Sequence, residues 1–408
     1  MTDLQQPTRD WATDFDHTSD DYAQAAPEIW EELRGRCPVA HGDAHGGVWM
    51  PTKHEDISAI ANDTERFSSE GVIVSIFKPE GLAPVGYAPP ITADPPFHMG
   101  SRRILLPAFA PKAIDKLEEA TRQTCRDLLD ELLADGATLA DAAVQYSQDI
   151  PVRVIAHMLG VPPEDGDRFR LFIHRIIEKP GTFNGTIEYE DTLAFYIEQT
   201  LLRRRAEPPR DDLIGYLMAL EHDGEPLPDA QIGGTIALLI IAGIDTTWSA
   251  IGASLWHLAQ HPQDRKRLEE DPEVLPFAVE EFLRFYAPVT MARIAATDTE
   301  VGGCPIHERD WVLLPFPAAN RDPDAFEDAD EFIIDRQRNR HVAFGLGIHR
   351  CVGSNLARME LTVAVDEWMK RIPDFELQEG ATVRWSTGQV RGPRQLPVRI
   401  LRTADQES

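Results

Sequence analysis

The chain has 408 residues, longer than a usual single globular domain, yet no Gly/Ser linker, low-complexity tract or repeat divides it, so one large domain over 1–408 is expected. Its 68 acidic and 40 basic residues give a net charge of −28, which argues against nucleic acid and anionic membranes as partners. Four scattered cysteines, Cys37, Cys125, Cys304 and Cys351, form no disulfide framework and point to a reducing, cytoplasmic compartment. The polar, acidic start shows neither a signal-peptide pattern nor a membrane anchor, and residues 1–20 are expected to be disordered.

In chain order, a β-branched run at 47–51 predicts a short strand. His98 and Arg102 follow, four apart, so a helix stacks them on one face, where two cations repel unless an anion lies between them. Helical patterns then cover 111–135 and 189–205. A strongly apolar helix is predicted over 231–258, with Asp229 as N-cap and Pro262 beyond its end. Between Ile232 and Trp256 its only formal charge is Asp245. It is long enough to cross a membrane, but Asp245, Thr246 and Thr247 fall mid-span and the flanks are acidic. A helix apolar all round is otherwise the centre of a large soluble core.

Within that helix Thr246 has two readings. It bonds a carbonyl one turn back as a structural feature, or, with Ala242 and Gly243 leaving room beside it, it opens the ladder and admits a water. A further helix over 272–285 puts Glu281 and Arg284 on one face; alone, such a pair is usually a surface salt bridge worth little. A second strand is expected at 310–314. The segment 344–351 reads F-G-L-G-I-H-R-C, with Gly345 and Gly347 permitting a tight backbone path. A helix over 351–371 begins there, and a cysteine at a helix N-terminus is biased toward thiolate. Helices dominate, so the fold class is mainly α with small β-sheets.

The run ending in Cys351 resembles the haem-binding loop of cytochromes P450. Three further motifs agree: A-G-I-D-T-T at 242–247 resembles that family's oxygen-activating segment, E-F-L-R at 281–284 its E-x-x-R motif, and His98 and Arg102 its H-x-x-x-R pair. The meander-like A-N-R-D-P-D-A-F at 319–326 fits too, so the resemblance covers nearly the whole chain. It implies the P450 fold, a triangular prism with haem b between the oxygen-activating helix and the cysteine-loop helix. Cys351 is then the axial iron ligand, with Ala242, Phe344 and Gly345 against the haem. His98, Arg102, Arg293 and His349 meet its propionates. Thr246 hydrogen-bonds dioxygen and Asp245 passes protons inward. Glu281 and Arg284 are structural. Relatives extend that pair with an arginine before a phenylalanine; here Glu331 precedes Phe332, and Arg336 is the alternative third partner.

The activity implied is a haem-thiolate monooxygenase that uses O2 and electrons from a separate iron–sulfur ferredoxin. Arg336, Arg338, Arg340, His341, His349, Arg350 and Arg358 cluster around Cys351; apart from His349, which meets propionates, they are expected to form a basic patch around Arg338, Arg340, Arg350 and Arg358 on which the ferredoxin docks. The family layout places the substrate pocket at 72–91, 169–186, Leu238, Ile241, Ala242, Val289, Thr290 and Val390, mostly apolar and suited to a hydrophobic substrate. Lys78, His174, Arg175 and Lys179 there either meet an acidic group or face water. Two rivals stay open at this point: a haem-thiolate peroxygenase or isomerase needing no redox partner, and a non-catalytic haem protein that binds a gas.

Overall fold

The computed structural model describes residues 9–74, 88–178, 188–222 and 224–404. Its centre is the helix Asp229–Gln260, preceded by Pro228 rather than capped by Asp229, which is its first residue. Length and apolarity alone would let this helix cross a membrane (mean hydropathy 1.7), but 67% of its most apolar window is buried inside the protein. The helices Asp149–Leu159, Leu193–Ala206 and Ser354–Arg371 pack around it. Gly243 faces the first of these. A Cβ there would lie 2.6 Å from Ile155 Cδ1, so the space left by the missing side chain is filled by Ile155.

The other predicted helices form with shifted ends. The 111–135 pattern is broken into Pro111–Ile114, a 3-10 turn and Glu118–Leu132. The 189–205 pattern starts as helix only at Leu193, where Thr192 Oγ1 accepts the Phe195 N–H and satisfies an end donor. Leu275–Phe285 follows the 3-10 turn Pro272–Val274.

Both expected strands belong to one five-stranded sheet, in the order Val39–Gly42, Val48–Pro51, Trp311–Pro315, Thr290–Ala295, Phe67–Ser68. Trp311–Pro315 pairs parallel to Val48–Pro51 and antiparallel to Thr290–Ala295, with Trp311 opposite Ile294 and Leu313 opposite Ala292. Every residue of Trp311–Pro315 is buried, as a central strand covered on both faces requires. A second sheet joins Leu139–Asp141, Pro397–Arg402 and Asp374–Leu377. Fully buried Trp311 and Trp368 anchor the cores beside the two sheets, and each buried large apolar side chain contributes about 1.5–3 kcal/mol.

The expectation of disorder over 1–20 does not hold for residues 9–20. Phe15 is 1% exposed, and the His41 N–H donates to the Ala12 carbonyl at 2.9 Å. Aromatic and small residues in this acidic stretch give it an apolar side to bury.

Candidate functional site

The segment before Cys351 is shaped by two glycines with positive φ. Gly345 (φ +70°) has Phe316 at ordinary contact distance, whereas a Cβ on Gly347 (φ +66°) would stand 2.4 Å from the Ala61 carbonyl oxygen. The loop therefore lies against the helix His54–Asn62 only because residue 347 lacks a side chain. The Cys351 N–H donates to the Phe344 carbonyl (2.8 Å), and the Gly345 N–H to that of Val342 (2.9 Å).

Helix Ser354–Arg371 begins three residues after the cysteine, with Gly353 as N-cap. Cys351 is thus ahead of the helix rather than in its first turn. Burial pushes its thiol up, opposed by the Gly353 N–H and by Arg102, Arg350 and Arg358. The Gly353 N–H acts toward thiolate as expected of a helix start, but burial outweighs it. The accessible side of Cys351 opens onto a cavity, so its exposure is to that space while protein surrounds it.

Leu238, Leu239, Ala242, Gly243, Thr246 and Thr247 line the same cavity from the central helix. They recur at three- and four-residue steps, one helical face. Ile241 falls off that face and does not line the cavity. Strand alternation acts likewise: Val289, Met291 and Arg293 point in, and Thr290 between them does not. Val390 also stands outside the lining, buried behind Val289 and bridged to it. Of the five pocket residues expected outside the haem contacts, Leu238 and Val289 are placed at the cavity, and Ile241, Thr290 and Val390 are not. Met291, Leu239 and Thr247 were missed, though the same two periodicities select them. Pro90, Ile91, Phe109 and Ile155 also contribute. Lys78 and Lys179 lie outside the described residues, as do parts of 72–91 and 169–186.

Thr246 Oγ1 donates to the Ala242 carbonyl at 2.8 Å, and no non-helical residue interrupts the helix. The hydroxyl thus lies beside the cavity but closed onto its own backbone. Asp245 is fully buried. Its Oδ1 accepts from Arg394 Nη2 at 2.6 Å, while Arg394 Nη1 donates to Ser249 Oγ and the guanidinium covers the Trp248 ring. Residues 245, 248 and 249 do not line the cavity, and the Arg394 guanidinium gathers them beside the lining face.

Cationic groups gather at the cavity's edge. Arg102, Arg293 and His349 line it, and the His98 ring lies 4.4 Å from that of His349, edge-on. His98 and Arg293 are each 4% exposed, and among the described residues none of the four forms an ion pair with a carboxylate. Buried His98 Nε2 has no hydrogen-bond partner. His349 Nε2 meets Ser69 Oγ (2.9 Å), and Arg102 Nη2 donates to the Arg350 carbonyl (2.5 Å). Burial lowers the pKa of all four; mutual repulsion from neighbouring cations adds to the effect in His98, Arg102 and His349. His349 is brought down to about 2 and Arg293 to about 10. A cluster of this kind fits the two carboxylates of a haem beside a cysteine sulfur.

The E-x-x-R pair is complete within the protein. Arg284 and Glu281, both 0% exposed, form two hydrogen bonds of 2.8 Å. Arg284 also donates to the carbonyls of Asn320, Ala329 and Glu331. Glu281 accepts from the Ile333 N–H, Arg336 Nε and Asn339 Nδ2. Arg336 is therefore the third partner, and Glu331 supplies only its carbonyl. Asn320 carries the support onward, since its Oδ1 accepts the Val342 N–H two residues before Phe344.

The basic patch is smaller than the sequence suggests. Arg336 belongs to the Glu281 network, His341 and Arg358 both bind Glu280, and Arg358 lies over the Phe344 ring. Arg338, Arg340 and Arg350 are exposed.

The family model for cytochrome P450 matches residues 182–384. Mycinamicin IV hydroxylase/epoxidase of Micromonospora griseorubida is 32% identical over 356 residues, 86% of this chain and 89% of that protein. Nocardicin C N-oxygenase of Nocardia uniformis subsp. tsuyamanensis is 34% identical over 375 residues, 90% of this chain and 92% of that protein. The crystal structure of CYP109E1 from Bacillus megaterium in complex with testosterone superposes with a TM-score of 0.83 at 29% identity, covering 94% of this chain and 100% of that one. The chain belongs to the cytochrome P450 family. It is a haem-thiolate monooxygenase of the bacterial type.

Proposed function

We propose that the chain is a single cytochrome P450 domain that binds haem b, with Cys351 as axial ligand, and oxidises a small hydrophobic molecule in the cytoplasm. The observation carrying this reading is one cavity with the Cys351 sulfur on one wall, Thr246 on the other, and two guanidinium groups and two imidazoles at its edge that pair with no carboxylate among the described residues. Haem ligated by thiolate supplies the O–O cleavage chemistry; the side chains bind, orient and handle protons. Arg102, Arg293, His98 and His349 hold the propionates. Cys351 is the cavity's one cysteine, which suits a haem held without thioether links. Phe344, Gly345 and Ala242 shape the cofactor's faces, and Leu238, Val289 and Met291 contact the substrate.

Thr246 holds a proton at Oγ1 beside the reacting space, shared with the Ala242 carbonyl. Asp245, held by Arg394 beside the cavity-lining face of the same helix, relays protons from the Arg394 side to its neighbour. The mycinamicin and nocardicin in the relatives' names, and the testosterone in the superposed crystal structure, support an organic small-molecule substrate, and the mostly apolar lining supports a hydrophobic one. Electrons come from an acidic ferredoxin docked near Arg338, Arg340 and Arg350, so reduction should slow as salt rises; a flat dependence removes that surface.

The test uses the haem-loaded enzyme with a ferredoxin system and a substrate found by its Soret shift. Thr246→Ala should keep substrate binding but divert roughly ten times more electrons to peroxide, on the scale of a lost proton-transfer group. Asp245→Asn should slow oxygen consumption and enlarge the solvent isotope effect. Unchanged coupling in the first and an unchanged rate in the second would remove the proton roles.

A further inference from the structure

Away from the cysteine cavity, three ligand-type side chains converge. Asp16, His17 and His45 each offer one donor atom, and the three atoms lie within 4.8 Å of one another, the one such group among the described residues. His17 is 2% exposed, and neither ring nitrogen has a hydrogen-bond partner. That is costly, because polar groups taken out of water are nearly always bonded. His45 Nε2 stands 3.7 Å from Asp16 Oδ1. Thr18 fixes the carboxylate by donating to Asp16 Oδ1 through its hydroxyl (2.6 Å) and its N–H (2.9 Å). The two imidazoles are 5.6 Å apart between centroids and tilted by 58°; the His17 nitrogens bond nothing, while His45 Nε2 has the Thr18 hydroxyl at 3.4 Å beside the Asp16 carboxylate. His45 is held at φ +56°, a left-handed conformation rare outside glycine, in the turn Ala44–Gly46.

We propose that Asp16, His17 and His45 form a binding site for a divalent transition metal of the zinc class. Two imidazoles and one carboxylate are a zinc donor set, with water as the usual fourth ligand. Zinc bonds of about 2.0–2.2 Å set tetrahedral donors roughly 3.3 Å apart. The cluster thus closes by about 1.5 Å at most to reach that spacing, and the Asp16–His45 pair, at 3.7 Å, is already near it. Asp16 and His45 side chains are 31% and 19% exposed, so the ion enters from the solvent side while His17 forms the buried floor. Such an ion clasps residues 9–19 onto the turn between Val39–Gly42 and Val48–Pro51. The clasp extends further, because the His17 carbonyl accepts the Gly388 N–H at 3.2 Å. Its role is to stabilise the fold, since a ligand that binds only the folded chain adds its binding energy to stability.

The haem-loaded enzyme, stripped with a chelator and desalted, is titrated with zinc chloride by calorimetry, and its metal content and melting temperature are then measured. One zinc per chain beyond the haem iron, with a raised melting temperature, is expected. His45→Asn keeps a residue that tolerates left-handed backbone, and Asp16→Asn keeps an acceptor for Thr18. Each should weaken zinc binding at least ~10-fold, as even outer-shell losses around a metal cost 10–100-fold, while the carbon-monoxide spectrum of the haem stays unchanged. A parent that retains no zinc, or variants that bind it as tightly as the parent, overturns the site. If one variant yields no haem-loaded protein, the other decides.

Discussion

Two buried charged clusters flank the Cys351 segment, and they are built on opposite plans. Around Glu281 and Arg284 every charge meets its counter-charge or a carbonyl inside the protein. Around His98, Arg102, Arg293 and His349 two guanidinium groups and two imidazoles form no ion pair with a carboxylate among the described residues, and His98 Nε2 bonds nothing. A self-satisfied network supports a fold; an unneutralised one is prepared for something brought from outside. Breaking the first should cost stability, and breaking the second should cost cofactor retention.

The largest effect is expected from Arg284→Leu. It leaves the Glu281 carboxylate buried without its main partner, and loss of one member of a buried pair costs about 3–5 kcal/mol. Chemical denaturation of the haem-loaded protein measures this; a change below about 1 kcal/mol would make the network dispensable. Next comes Arg293→Leu. Removing one of several crowded cations relieves repulsion in the polypeptide while weakening the grip on haem propionates. Haem transfer to an acceptor protein should quicken roughly 10-fold, about 1.4 kcal/mol, with little loss of fold stability. Slower or unchanged haem loss would mean the cluster serves another purpose.

The smallest effect concerns Glu280. Burial alone would raise its pKa, but Arg358 and His341 outweigh burial and bring it down to about 2 from 4.5. The unfolded chain binds the proton more readily, so this contribution is fully present above pH 4.5 and fades as pH falls toward 2. At a partly exposed site it is worth roughly 1 kcal/mol. Glu280→Gln should therefore flatten stability against pH over that window and leave the region above it parallel to the parent. Parallel curves throughout would detach Glu280 from the loop's support.

Much of this organisation is legible in the sequence because it is local. The glycine pattern before Cys351, the i,i+3 step from Glu281 to Arg284 and the apolar run around Asp245 each lie within one element. Contacts closing over long separations were not legible: nothing near Asp245 signals Arg394, 149 residues on. Ser69 meeting His349 across 280 residues is the same case. Val289 and Thr290 are neighbours, and strand alternation lets only Val289 face the cavity. The acidic start hid a packed segment because charge and apolar burial alternate there on a short scale. Arg336, His341 and Arg358 looked like free surface cations because their acids, Glu281 for the first and Glu280 for the other two, lie 55, 61 and 78 residues earlier.

The central claim is that the sulfur of Cys351 ligates haem iron, and the reduced, carbon-monoxide-bound spectrum tests it most directly. The parent should show the long-wavelength Soret band of thiolate ligation, and Cys351→Ala should lose that band whether or not haem remains. A variant that keeps the parent's thiolate-type band would contradict the assignment and the oxygen chemistry built on it.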